Sequence, residues 1–299
     1  MEVPEHRSTL EPAPASPCAP ASARAFTLVE LLVTVAVIAL LIGLLVPALG
    51  RMRAAGHATR SMSNLRQWGT AMQAWGSIND ERIPWEGAKN TPNMALSLAT
   101  PTFWPNAAAS MLGLKPYRDV VEDAFREQRT IETWDDRDSL WNDPAAAPDR
   151  AGPWEFGEAG PEGITRQFWF TYAMNIRLNN TWLIDGGFPE FTKDRLITWA
   201  SIAHPSRTVL MLELRAKQDE LPPDDPHYTR NLDRAQCSWK RFAARHSGGG
   251  HLLFCDGHVA WALNEEVTTN AQGSRDTKTP NGDWNTAKYI FDPSGPARH

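Results

Sequence analysis

From Phe26 to Leu49 the chain reads FTLVELLVTVAVIALLIGLLVPAL, 24 residues interrupted by a single charge, Glu30. At about 1.5 Å per residue a helix of this length reaches roughly 36 Å, more than the ~30 Å hydrocarbon core of a bilayer. A soluble helix of that length carries a polar face, and this run has none. It is read as a membrane-spanning helix, and the rest of the chain must be arranged around it. The 25 residues before it are rich in Ala and Pro and lack apolar periodicity, so they read as a leader. A secretory signal peptide places its apolar core ahead of a small-residue cleavage site. Here the small residues lie at the Ala25–Phe26 junction, ahead of the apolar run, so a cut there leaves the helix on the mature chain. No apolar stretch precedes Cys18, which removes a lipoprotein reading.

Composition narrows the remainder. With 299 residues, 42% hydrophobic and 22% charged, the chain is neither wholly disordered nor polytopic. A formal net charge of −5 supplies no basic excess for nucleic acid, which is not expected as a partner. Three cysteines, Cys18, Cys237 and Cys255, are too few for a disulfide scaffold or a four-thiolate zinc site. Whether Cys237 and Cys255 pair is open from spacing alone.

A carboxylate in hydrocarbon is costly and answers a partner. If Phe26 becomes the N-terminus, its ammonium lies one helical turn from Glu30, on the same chain or a neighbour. The segment Ala25-Phe26-Thr27-Leu28-Val29-Glu30 followed by an apolar run resembles the cleavage and methylation segment of type IV prepilins and type II secretion pseudopilins. The resemblance implies that a prepilin peptidase cuts between Ala25 and Phe26 and methylates the new amine. It implies that Phe26 and Glu30 guide assembly with other pseudopilin subunits. It also implies a single pass through the inner membrane with the C-terminal part periplasmic. The family usually has Gly before the cut, where this chain has Ala25. Pro47 matches the family's helix-kinking proline. A literal positive-inside count opposes that orientation, because Arg51, Arg53, Arg60 and Arg66 follow the run while only Arg7 and Arg24 precede it.

Beyond the membrane segment, Met52, Ala55, Ala58, Met62, Leu65, Trp68, Met72 and Trp75 recur in steps of three or four, one stripe of an amphipathic helix. Short helices are expected at 106–113 and 117–129. Residues 84–165 carry Trp85, Trp104, Trp134, Trp141 and Trp154 among many prolines and read as an insertion whose tryptophans pack back on the core; an exposed binding face is the alternative. Strands are expected at 167–175 and 207–214, with a short one at 287–291. A hairpin is expected in which Asp256-Gly257 forms a two-residue loop, setting Cys255 opposite His258 and His251 opposite Ala262. The organisation is then a leader at 1–25, a transmembrane segment at 26–49, an amphipathic helical half at 50–80 and a globular part at 81–299. The fold class is α+β and pilin-like. A long N-terminal helix packs on an antiparallel sheet, with the loop-rich insertion and a hairpin at 246–263.

His246, nine residues and Asp256-Gly257 form an H-x9-DG pattern that resembles the C-terminal signature of a pseudopilin subfamily. Asn64-Leu65-Arg66-Gln67 resembles the same subfamily, and Trp141-Asn142-Asp143-Pro144 stands where it often has Cys-Pro. Asp256 is read as a turn residue bonding nearby amides. His246, His251, Asp256 and His258 are of types that suit zinc, but the expected hairpin keeps His251 and His258 apart, so His246 and His258 remain candidate metal ligands, set below a structural reading. Calcium is a second candidate, through Asp219, Glu220, Asp224 and Asp225 or Asn281 and Asp283, although no cofactor is required and neither group forms an EF-hand. No G-x-S-x-G elbow, P-loop or H-E-x-x-H pattern occurs, so no enzymatic activity is expected. The rival is a membrane-anchored enzyme or sugar-binding module built around His246, His258 and the insertion.

Overall fold

The computed structural model describes residues 27–87, 94–129, 140–146, 154–156, 163, 165–168, 171–178, 196–216, 218–228, 236–237, 239–275 and 285–293. Ala25, Phe26, Trp134, the side chain of Trp154, Asn281 and Asp283 lie outside the described residues. The chain divides into two compact units, Met1–Gly50 and Arg51–His299.

In the first unit, helix α1 begins at Leu28 and is bounded as Leu28–Ser77, with Pro47 inside it. An 18-residue window of the helix has a mean hydropathy of 2.9 and no part of it is buried. Leaving that much Leu, Ile and Val uncovered costs about 25 cal/mol per Å² in water, a cost that hydrocarbon removes. By length and composition this is a helix able to cross a membrane.

In the second unit α1 turns a stripe inward: Ser61, Asn64, Leu65, Trp68, Gly69, Ala71, Met72, Trp75 and Gly76 are buried. The expected stripe therefore starts late. Met52 and Ala55 are exposed and Ala58 is half-buried, because the sheet residues that meet the helix begin at the level of Ser61, where Tyr172 and Glu213 reach it. The helix stops where Asn79 Nδ2 donates to the Trp75 carbonyl (2.7 Å) and Asp80 and Glu81 take left-handed φ of 56° and 55°.

Two sheets follow. Strands β1 (Trp154–Phe156) and β2 (Arg166–Phe168) form an antiparallel pair. The main sheet contains β3 (Tyr172–Asn175), β4 (Val209–Glu213), β5 (Gln236–Cys237), β6 (Gly249–Phe254) and β7 (Val259–Leu263), ordered β5-β3-β4-β6-β7. Four of its strands are mutually antiparallel, and β5 joins β3 in parallel. The fold class is thus α+β, with a long apolar N-terminal helix and an antiparallel sheet. The stretch expected as one strand over 167–175 instead contributes to both sheets, β2 ending at Phe168 and β3 starting at Tyr172. Short helices α2 (Met94–Ala99), α3 (Trp104–Met111), α4 (Tyr117–Arg126) and α5 (Asn264–Thr268), with 3-10 turns at Trp199–Ser201, Gln218–Glu220 and Trp239–Arg241, complete the described elements.

Trp68 links α1 to the insertion. Its ring meets Trp104 edge-on (5.4 Å) and Trp141 at 4.6 Å, and its Nε1 donates to the Leu140 carbonyl (2.7 Å). Trp85, Trp104 and Trp141 are buried, so the described insertion tryptophans face the core and present no exposed aromatic surface.

The hairpin differs from expectation by one residue. Leu253 pairs with Val259, Leu252 with Ala260 and His251 with Trp261, and the Phe254 amide donates to the His258 carbonyl. The loop is therefore Cys255-Asp256-Gly257, three residues long, with Gly257 at φ 91°. A three-residue loop ending in a left-handed glycine is the next commonest hairpin solution, and it shifts every cross-strand partner by one. Cys255 does not face His258, and His251 faces Trp261 rather than Ala262.

A late segment packs beside the start of β4 and the hairpin end. Ile290 bridges Thr208 in parallel, Asn175 Nδ2 donates to the carbonyls of Val209 (2.9 Å) and Phe291 (2.8 Å), and Phe291 packs edge-on to Trp239. In place of the strand expected at 287–291, this segment makes that isolated bridge.

Candidate functional site

Among the described residues, two places bear on the expected chemistry. The first is the start of α1. The Thr27 amide and hydroxyl both donate to Glu30 Oε2 (2.9 and 2.8 Å), and the Glu30 amide donates to Thr27 Oγ1 (3.2 Å). This reciprocal pattern is a capping box, in which a Thr and an acid three residues later satisfy otherwise orphaned amides. The sequence Thr27-Leu28-Val29-Glu30 carries that signal, which the reading of Glu30 as a partner-seeking acid passed over. The acid thus sits beside the candidate cut, held by its own helix start.

The second place lies in the other unit, where α1, β4, β6 and the loop before β6 converge. Glu213, at the end of an otherwise apolar β4, is fully buried. Its Oε1 accepts from the Ser61 hydroxyl and lies 2.7 Å from His251 Nδ1 and 3.7 Å from His246 Nε2. Its Oε2 accepts from the His251 amide (3.0 Å). Residue 250 has to be glycine here, since a Cβ would come within 2.8 Å of Glu213 Oε2 and 3.1 Å of the Ala243 Cβ. Ser61 Oγ and Tyr172 Oη are 2.8 Å apart, and Asn64 Nδ2 donates to Tyr172 Oη (3.4 Å). With the Ser61 proton committed to Glu213, Tyr172 is the donor to Ser61. The polar relay therefore runs Asn64, Tyr172, Ser61, Glu213. Burial first, then the carboxylates of Asp143 and Glu213, push the Tyr172 phenol well above its ordinary value, so it remains a neutral donor.

Asp143 anchors the other side. Its Oδ2 accepts from Arg245 Nε (2.6 Å) and lies 2.8 Å from His246 Nε2, while Oδ1 accepts from the Ala145 amide (2.8 Å). Burial acts to raise its pKa, but the Arg245 guanidinium and His246 outweigh it and hold the carboxyl well below the usual range. Arg245 reaches onward to Glu220 (2.9 Å) and to the Leu214 carbonyl (2.9 Å). Burial alone would depress the His246 pKa; hydrogen bonding to Asp143 and the charge of Glu213 raise it instead.

Of the expected site residues, His246 lies in this network, whereas His258 lies outside it. His258 Nδ1 is 2.6 Å from Asp256 Oδ1, its ring stacks on Phe254 at 4.2 Å, and its side chain is 45% exposed. His246 and His258 are therefore not joint ligands, because the hairpin carries His258 to its own tip. Asp256 Oδ1 also accepts the His258 amide (3.1 Å), and Gly257 closes the loop. The loop acids proposed for calcium face separate protein donors: Glu220 takes Arg245 and the amides of Ala216 and Ala244, and Asp225 takes Arg275 and the His227 amide. They do not converge on one point. Cys255 is a buried free thiol whose pKa burial pushes far up, which leaves it unreactive.

Ser61, Asp143, Glu213 and Arg245 are the members that sequence reading missed, and His251, set aside on the expected hairpin register, belongs to the network. The one available signal was Glu213, an acid in the apolar run RTVLMLEL, since acids are rarely placed inside without partners.

No curated protein and no solved structure matches the chain. Residues 20–46 match the family model of the prokaryotic N-terminal methylation motif. The match spans the Ala25–Phe26 junction, Glu30 and most of the apolar run, and it supports a type IV pilin-like precursor at this end of the chain.

Proposed function

We propose that this chain is a non-enzymatic, pseudopilin-like structural subunit, cut before Phe26 by a prepilin peptidase and assembled through its N-terminal helix into a filament of the type II secretion or type IV pilus kind. The observation that carries this reading is the methylation motif at residues 20–46, lying on the start of a helix able to span a membrane. The H-x9-DG pattern of His246 and Asp256-Gly257 is consistent with a processing-associated pseudopilin subfamily. In this account the C-terminal part lies outside the inner membrane.

The capping box supplies a mechanism. Before assembly the carboxyl of Glu30 accepts hydrogen bonds from the Thr27 amide and hydroxyl. Cleavage creates an ammonium on Phe26, the residue before the cap, and a neighbouring subunit's ammonium offers a stronger, charge-assisted partner than a neutral hydroxyl. Exchange of the Thr27 donors for that amine draws two helices into register within the membrane.

Mass spectrometry of the N-terminus tests the processing step. A mature chain starting at methylated Phe26 is expected, and an intact Met1 on membrane-extracted protein overturns the proposal. Glu30→Ala should insert and be cut yet fail to crosslink to neighbouring copies; crosslinking at the wild-type level removes the proposed role of the acid.

A further inference from the structure

Asp143 and Glu220 share the guanidinium of Arg245, but among the described residues no lysine or arginine lies within ion-pair distance of Glu213, which meets Arg245 only at longer range. A carboxyl group with no exposure needs polar partners. Its neighbours are the Ser61 hydroxyl, the His251 amide and two imidazole nitrogens, and one ligand atom each from Glu213, His246 and His251 lies within 4.8 Å of the others.

We propose that Glu213, His246 and His251 form a buried structural site for a divalent cation of the zinc class. Ligands bonded to zinc at about 2.0–2.1 Å in a tetrahedron stand roughly 3.3 Å apart. The separations of Glu213 Oε1 from His251 Nδ1 (2.7 Å) and from His246 Nε2 (3.7 Å) bracket that value. Two imidazoles and one carboxylate suit zinc and its transition-metal neighbours, and do not suit calcium, which takes oxygen donors. The support around the ligands is also present. Glu213 and His251 sit on hydrogen-bonded neighbouring strands, β4 and β6, and the second Glu213 oxygen is pinned by the His251 amide. Gly250 leaves room for the carboxylate, and Ser61 of α1 holds it from behind. Such outer contacts fix ligand orientation in metal sites. Occupation turns the His246 Nε2 lone pair onto the cation in place of its hydrogen bond to Asp143, whose charge stays with Arg245. Because all three ligands are buried, the cation fastens β4, β6 and the loop before β6 together and performs no chemistry on a substrate.

The test uses the full chain, purified in detergent without a histidine tag, stripped with chelator, then titrated with ZnCl2 or CoCl2. One ion per chain is expected by equilibrium dialysis, with visible cobalt absorption bands of a nitrogen–oxygen site and a raised thermal midpoint. His251→Asn, which keeps a polar group beside Glu213, should weaken binding at least about tenfold. His258→Ala, outside the cluster, should leave it unchanged. Absence of cobalt bands in the wild-type chain overturns the proposal without any variant. So does equal binding by a His251→Asn protein whose near-ultraviolet circular dichroism is native. So does loss of binding in His258→Ala alone.

Discussion

Replacing Asp143 by Ala removes the acceptor that Arg245 Nε and His246 Nε2 share, at 2.6 and 2.8 Å, in a place with no solvent access. Breaking a buried ion pair from one side costs about 3–5 kcal/mol, because the remaining charge stays buried. Arg245 keeps Glu220 and the Leu214 carbonyl, which places the loss at the lower end, about 3 kcal/mol. At about 2–4 °C per kcal/mol for a unit of this size, the thermal midpoint should fall by roughly 6–12 °C. The assay is thermal unfolding in detergent with chelator present, followed by tryptophan fluorescence, for which neighbouring Trp141 is a local reporter. At about pH 7 the Asp143 charge is complete, since its pKa is depressed: its contribution is present above the ordinary carboxylate value and is lost only as pH falls through the lowered one. The double variant Asp143→Ala/Arg245→Met should lose at least about 1 kcal/mol less than the two single losses combined, since removing both charges leaves neither unpaired. A midpoint for Asp143→Ala within about 1 °C of wild type, or strict additivity in the double variant, would refute the reasoning.

Gly249→Ala should cost at least about 2 kcal/mol, because its Cβ would stand 2.1 Å from the Ala262 carbonyl oxygen, a backbone atom of the paired strand that cannot move aside; a thermal midpoint equal to wild type contradicts the register of β6 and β7. His227 is buried, with Nε2 3.2 Å from the Thr268 carbonyl, and burial followed by the nearby Arg275 charge lowers its pKa to about 4. The unfolded chain therefore takes up a proton that the folded one refuses, so stability is full above pH 6.5 and falls as pH drops toward 4. His227→Gln should lessen that acid loss by about 2 kcal/mol in parallel melts at pH 7 and 4.5; identical slopes in the two proteins rule the assignment out.

What the sequence discloses here depends on how local the signal is. The apolar run needs only contiguous residues, and the stripe from Leu65 to Trp75 only a single helix, so both are legible. The Asp256-Gly257 turn is legible as a turn, but its length is not. Whether Gly257 closes a two- or three-residue loop depends on how β6 seats against α1 and β4, and that choice decides which residue faces His251. The buried network is the least legible part. Ser61, Asp143, Glu213 and Arg245 come from four separate stretches, and their partnership depends on tertiary packing that no periodicity encodes. Asp143 in particular sits in a Trp-Asn-Asp-Pro stretch that reads as a loop.

The bridge between Thr208 and Ile290 sets an order on how this chain comes into being. Strand β4 lies in the middle of the main sheet, yet the Val209 amide donates to the Ile290 carbonyl and the Arg207 carbonyl accepts from the Ile290 amide, a stretch about 80 residues further on. Asn175 of β3, the start of β4 and the Trp239 ring keep partners unmade until Ile290 and Phe291 have been synthesised. A nascent chain stalled before that point keeps the floor of its core open, and shortening the protein from that side removes an interior wall in place of a loose end.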